Sequence, residues 1–164
     1  MKVFIGGARC IDHLMPQAQE KMFSIYQKRF DVLVGDCYGI DTCVQKFYAD
    51  LGYDRVTVYA SNGKARNNLG HWRVKTINVC GNVNGFRFYK QKDIAMANDA
   101  DYGMMVWDGM SRGTMSNIVI MSKLKKTVLV FLTPQNQRII INGDEDLKKL
   151  LNMVPQKSSQ NRYC

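Results

Sequence analysis
Residues 102–107 read YGMMVW, an apolar run closed by Asp108-Gly109. It is too short for a helix and too uniformly apolar for a strand with one wet face. It therefore predicts a strand buried on both sides, as in the middle of a parallel sheet covered by helices. The chain resumes at Ser111-Arg112-Gly113-Thr114, where a helix can begin with Ser111 or Thr114 near its N-cap. A strand, a glycine-bearing loop and a helix N-terminus form an anion-binding geometry. Free backbone N–H groups and the positive end of the helix dipole face the ligand there. Gly113, without a Cβ, admits close approach to the backbone. An ordinary strand-to-helix turn has the same local pattern.

The flanking sequence repeats this alternation. Strands are expected at residues 2–5, 31–34, 55–59, 74–79, 127–132 and 138–141, and helices at 16–29, after the loop 35–41 to 51, at 86–98, from about 111 to 124, and at 144–153. Pro16 suits a first helical turn. Val44, Phe47, Tyr48 and Leu51 fall at i, i+3, i+4 and i+7. Strands alternating with helices predict a three-layer α/β, Rossmann-like fold with a mainly parallel sheet. Without a linker or repeat, residues 1–154 form one domain and 155–164 a frayed polar tail. Residues 60–85, rich in Gly and Asn, read as a mobile loop, a short strand and a turn at 81–85. Within it, Arg66, Asn67, Asn68 and Trp72 form either a lid, with Trp72 stacking on a base, or a surface loop whose Trp packs on the sheet edge.

Composition narrows the classes. Of 164 residues, 46% are hydrophobic and 23% charged, which suits a globular chain. No apolar run approaches the roughly 20 residues of a membrane span, and the N-terminus lacks a signal-peptide pattern. Five scattered cysteines without a CxxC pair fit free thiols in a cytoplasmic protein. Two distant histidines, His13 and His71, point to no metal site, and no cofactor motif stands out. The net charge of +9 favours an anionic partner, nucleotide or nucleic acid, although solubility alone accounts for such a charge equally well. Only Lys123, Lys125 and Lys126 cluster, weak support for a nucleic-acid surface.

In a parallel sheet the loops after the strands gather at one edge, where ligands bind. Three such loops carry candidate chemistry. Gly6-Gly7-Ala8-Arg9 joins backbone access to a forked cation suited to phosphate. In Gly35-Asp36-Cys37-Tyr38-Gly39-Ile40-Asp41, Asp36 or Asp41 can accept from a ribose hydroxyl, and Asp41 can equally cap a helix. The third is the loop containing Asp108, Gly109, Ser111, Gly113 and Thr114.

These loops resemble motifs of the Rossmann-like superfamily that joins the Smf/DprA DNA-processing proteins and the Lonely Guy phosphoribohydrolases. The stretch 35–41 resembles the DNA-processing pattern of a Gly followed by Gly-Ile-Asp. Ile5-Gly6-Gly7-Ala8-Arg9 resembles their Gly-Ser-Arg turn after the first strand. Lys92-Asp93-Ile94-Ala95-Met96, Asp101, a strand, then Gly113-Thr114-Met115-Ser116-Asn117 is similar to the hydrolase frame. The resemblance spans residues 2–132 and implies a nucleotide-type ligand, a homodimer, and Lys92, Met96 and Asn117 as further ligand-binding positions. Lys92 stands where the hydrolases have Arg, and Asn117 where they have Glu. An amide cannot act as their general base. Asp93 and Asp108 remain as carboxylates for a glycosidase or transferase, as in deoxyribosyltransferase-like relatives. The preferred reading is a binder of a nucleotide or an ADP-ribose-type derivative, acting as sensor or sequestering protein. The rivals are an N-glycosidic-bond enzyme and a DNA-binding module.

Overall fold
The computed structural model describes residues 1–79, 81 and 85–154. A seven-stranded sheet is built from β1 (Lys2–Gly7), β2 (Asp31–Gly35), β3 (Val56–Ser61), β4 (Arg73–Ile77), β5 (Tyr102–Trp107), β6 (Val128–Leu132) and β7 (Gln137–Ile141), in the order β4-β3-β2-β1-β5-β6-β7. All neighbouring pairs are parallel except β6 and β7, which are antiparallel across a short 3₁₀ turn, Thr133–Gln135. The helices are α1 (Pro16–Gln27), α2 (Ile40–Asp50), α3 (Phe86–Asp99), α4 (Arg112–Lys123) and α5 (Asp144–Met153). This is the expected single-domain, three-layer Rossmann-like architecture. No helix among the described residues is long and apolar enough to cross a membrane.

Alternation along the strands divides the core in two. Val3 and Ile5 of β1, Val32 and Val34 of β2, and Met104 and Val106 of β5 pack against Ala18, Met22 and Ile25 of α1 and Val44 and Tyr48 of α2. Phe4, Leu33, Met105 and Trp107 face the other way, onto Met96 and Ala97 of α3, Ile118 and Met121 of α4, and Leu150 of α5. A side chain of this size, fully buried, stabilises the fold by about 1.5–3 kcal/mol.

Element ends shift from the pattern-based reading for local reasons. Helix α1 stops at Gln27, because Arg29 takes a left-handed φ of 54° that ends the helix. β1 runs on into Gly6-Gly7, held by pairing of Gly7 opposite Val106. The chain reverses direction across the sheet between β1 and β5, so the crevice that collects ligands in such sheets opens beyond those two strands. The loop at 62–72 is anchored rather than loose: Gln45, fully buried, donates to Gly35 O (2.8 Å) and Asn67 O (3.2 Å) and accepts from Leu69 N (3.0 Å). The turn expected at 81–85 includes residues 82–84, and these, like the tail at 155–164, lie outside the described residues.

Candidate functional site
Two glycines lock the first two loops together. A Cβ on Gly7 would lie 2.3 Å from the Val106 carbonyl oxygen and 2.8 Å from the Ile40 side chain. Gly39 has φ +76°, and a Cβ there would lie 2.4 Å from the Arg9 carbonyl. Between them the buried Ala8 accepts from Ile11 N and Ile40 N through its carbonyl. The β1 loop is thereby seated on the N-terminus of α2, with Gly6, Gly7 and Arg9 lining a cavity of about 590 Å3.

Under this cavity lies a buried ionic cluster. The Lys92 side chain is 3% exposed, and its Nζ stands 3.1 Å from Asp93 Oδ1 and 3.8 Å from Asp36 Oδ1. Gly35 is what admits it: a Cβ there would fall 2.6 Å from that Nζ and 2.3 Å from Asp41 Oδ2. Asp36 receives Arg66 through two side-chain bonds, Nη2 at 2.9 Å and Nε at 3.1 Å, and one from the Arg66 backbone N–H at 3.1 Å. Asp41 accepts from Cys37 N at 3.1 Å. Taking an ion out of water costs several kcal/mol, and the cluster meets that cost by pairing. Two cations face three carboxylates, so one negative charge is in excess while Asp41 is ionised.

The titration of each group follows. Burial pushes Asp41 up to about 6, against the pull of Lys92 and with the push of Asp93. Burial would also raise Asp36, but the Arg66 hydrogen bonds and the Lys92 charge outweigh it and hold that carboxyl below its ordinary value. Burial would depress Lys92, yet Asp93, Asp41 and Asp36 together raise it. Burial raises the Cys37 thiol in spite of Lys92.

The opposite wall is the first turns of α4. Asp108 Oδ1 accepts from Met110 N (2.9 Å) and Ser111 N (2.7 Å), and its Oδ2 accepts from Cys10 Sγ (3.1 Å), which shapes the loop. Ser111 is the N-cap, its Oγ accepting from Thr114 N at 3.4 Å. The amides of Arg112 and Gly113 open the helix and have no carbonyl within it to bond. A Cβ on Gly113 would meet nothing within 4 Å, so that backbone is open. In the second turn, Asn117 is 7% exposed and its Oδ1 has no hydrogen-bond partner. Buried polar atoms are seldom left so, and Asn117 lines the cavity.

The structure brings Gly6, Gly7, Arg9, Asp41, Lys92, Asp93, Met96, Ser111, Gly113, Thr114 and Asn117 together around this cavity. Ala8, Gly35, Asp36, Gly39, Gly109 and Asp108 stand outside its lining, in the loops that shape it. Trp72 is also outside: its Nε1 donates to Tyr53 O at 2.6 Å, and it packs against the core. Arg66, from the same loop, places its guanidinium 4.7 Å above the ring of Tyr89, which lines the cavity. Sequence reasoning missed Phe4, Cys37, Gly85, Phe86, Tyr89, Lys90 and Arg112 as lining residues. The signal for three of them was present: Phe86, Tyr89, Lys90, Asp93 and Met96 share one helical face by spacing.

The fold resembles that of DNA processing protein A from Helicobacter pylori, with a TM-score of 0.63 at 15% identity, over 93% of this chain and 72% of that one. The structural description of that protein concerns how it binds single-stranded DNA. No family model and no curated protein matches the sequence. At this identity the likeness establishes a shared Rossmann-like fold, the fold that the motif resemblance implies.

Proposed function
We propose that the protein binds a nucleotide or an ADP-ribose-type derivative and acts as a sensor or sequestering protein. The observation that carries this reading is the cavity of about 590 Å3 that has Asn117 in its lining and the open N-terminus of α4 at its rim. A ligand combining an anionic group with a polar base or ribose suits both at once. Its phosphate meets the amides of Arg112 and Gly113, with Arg9 as counter-charge, and a polar group of the base or ribose meets the Asn117 amide. Phe4, Met96 and Tyr89 supply apolar surface for a base. Binding without turnover is favoured because neither candidate carboxylate is uncommitted: Asp93 is tied to Lys92, and Asp108 to two backbone amides.

The test is calorimetric titration with nucleoside monophosphates. Arg9→Ala should weaken binding by roughly 1.5–3 kcal/mol, the worth of a charge-assisted hydrogen bond, with folding unchanged. Equal affinity in a folded variant would remove Arg9 from the site.

A second reading, single-stranded DNA binding, draws on the net charge of +9 and on the binding described for the Helicobacter pylori protein. The expected result with a labelled oligonucleotide is no submicromolar affinity at physiological salt. Tight binding that falls steeply with salt, as counterion release requires, would put this reading first.

A further inference from the structure
The cavity does not end at its mouth. Phe86, Lys90 and Arg112 line it and also line a second depression of about 440 Å3 between α4 and α5. The second depression is apolar, with Met110, Met115, Val119 and Leu151 in its walls. Met110 is 58% exposed and Phe86 52% exposed, large side chains left in water. Its charged lining residues are Lys90, Arg112 and Lys123, and no carboxylate lines it. Elsewhere on the surface Arg29, Lys46, Arg55 and Lys75 each pair with an aspartate. Among the described residues, Lys90, Arg112 and Lys123 form no ion pair.

An apolar groove edged by cations and lacking acids suits a flat apolar group that carries negative charge. The groove's volume of about 440 Å3 lies within the range of small-ligand sites. The compartments meet at Lys90, Arg112 and the first turn of α4, so a phosphate held there can join a group on either side. We propose that the ligand is a dinucleotide. One nucleoside occupies the cavity, the phosphate bridge lies on Arg112, Lys90 and the α4 amides, and the second base lies in the groove against Met110, Met115 and Val119. This rests on the nucleotide reading above and adds the second compartment to it.

Calorimetry with the four nucleoside monophosphates and their symmetrical dinucleoside diphosphates tests it, on the full chain and on Val119→Glu and Lys123→Glu, which alter the groove alone. A dinucleotide should bind at least about tenfold tighter than its mononucleotide, the lower part of what stacking one base is worth. Both variants should reduce that advantage and leave mononucleotide affinity unchanged. Lys123 is exposed, so its variant stays informative should Val119→Glu misfold. Equal affinity for both ligand classes, or an equal loss of both in the Lys123 variant, would overturn the two-compartment site and leave the nucleotide reading standing. Binding of neither class would overturn both. Tight binding of longer single-stranded oligonucleotides alone would overturn the dinucleotide in favour of nucleic acid.

Discussion

Replacing Lys92 with methionine should destabilise the fold by about 3–5 kcal/mol at pH 7, the cost of leaving buried charges without their partner. Methionine matches the stem in length and apolar character, so the packing loss is small and the charge loss dominates. Asp93 loses its cation at 3.1 Å, and Asp36 keeps only Arg66. Asp41 is the most exposed to the change, because burial already holds its carboxyl up at about 6 with Lys92 present. A carboxyl raised in the folded state favours the protonated form. Its stability contribution is complete below the unfolded value of 3.8 and is lost as pH rises through the folded value. Without Lys92 the folded value rises further, so the deficit should shrink as the pH is lowered from 7 to 5. Asp36 does not oppose this, since its pKa is lowered and its loss begins at more acid pH. Urea unfolding of both proteins at the two pH values measures it, with Lys92→Met/Asp41→Asn as the partial rescue. A loss below about 1 kcal/mol, the scale of an exposed pair, or a deficit that does not change with pH, would show that water reaches the cluster.

Gly113→Glu should separate stability from binding. The position is the second residue of α4 and has room for a side chain. Glutamate is a better helix former than glycine, which costs up to about 1 kcal/mol relative to alanine, and an acid in the first turn gains about 0.3–1 kcal/mol from the dipole. The variant should therefore melt at a higher temperature than the parent. Nucleotide binding should fall at least about a hundredfold. The new carboxylate stands against the same amides as the phosphate, and two like charges 4 Å apart at a protein surface repel by about 4 kcal/mol. Gly113→Gln supplies the bulk without the charge and should lose far less. Calorimetric titration and thermal melts report the two effects separately. Undiminished affinity in the stabilised Glu variant would move the phosphate away from α4.

Local pattern alone determined most of the secondary structure. β5 spans Tyr102–Trp107 as its apolar run implied, and α5 begins and ends where its acids and leucines placed it. The reason is that side-chain periodicity and turn chemistry act within a few residues of each other. The gathering of the three glycine loops at one edge also followed, because a parallel sheet puts its strand-to-helix loops on the same side. The tertiary structure decided the electrostatics. In sequence, Lys92 is one of 23 basic residues, and a lysine ordinarily sits in water. Its burial becomes tolerable only because Asp36, 56 positions away, Asp41 and Asp93 converge on it over the bare backbone of Gly35. By spacing, Asp36 and Asp41 are equal candidates to accept from a ribose, and Arg66, 30 positions on from Asp36, bonds to both oxygens of Asp36. Gln45 gave no local sign of tying the loop at 62–72 to β2. Asp108 is held by backbone geometry, since two amides within three residues turn toward its carboxylate. Such pairings depend on which distant segments share a desolvated space, and no spacing rule along the chain encodes that.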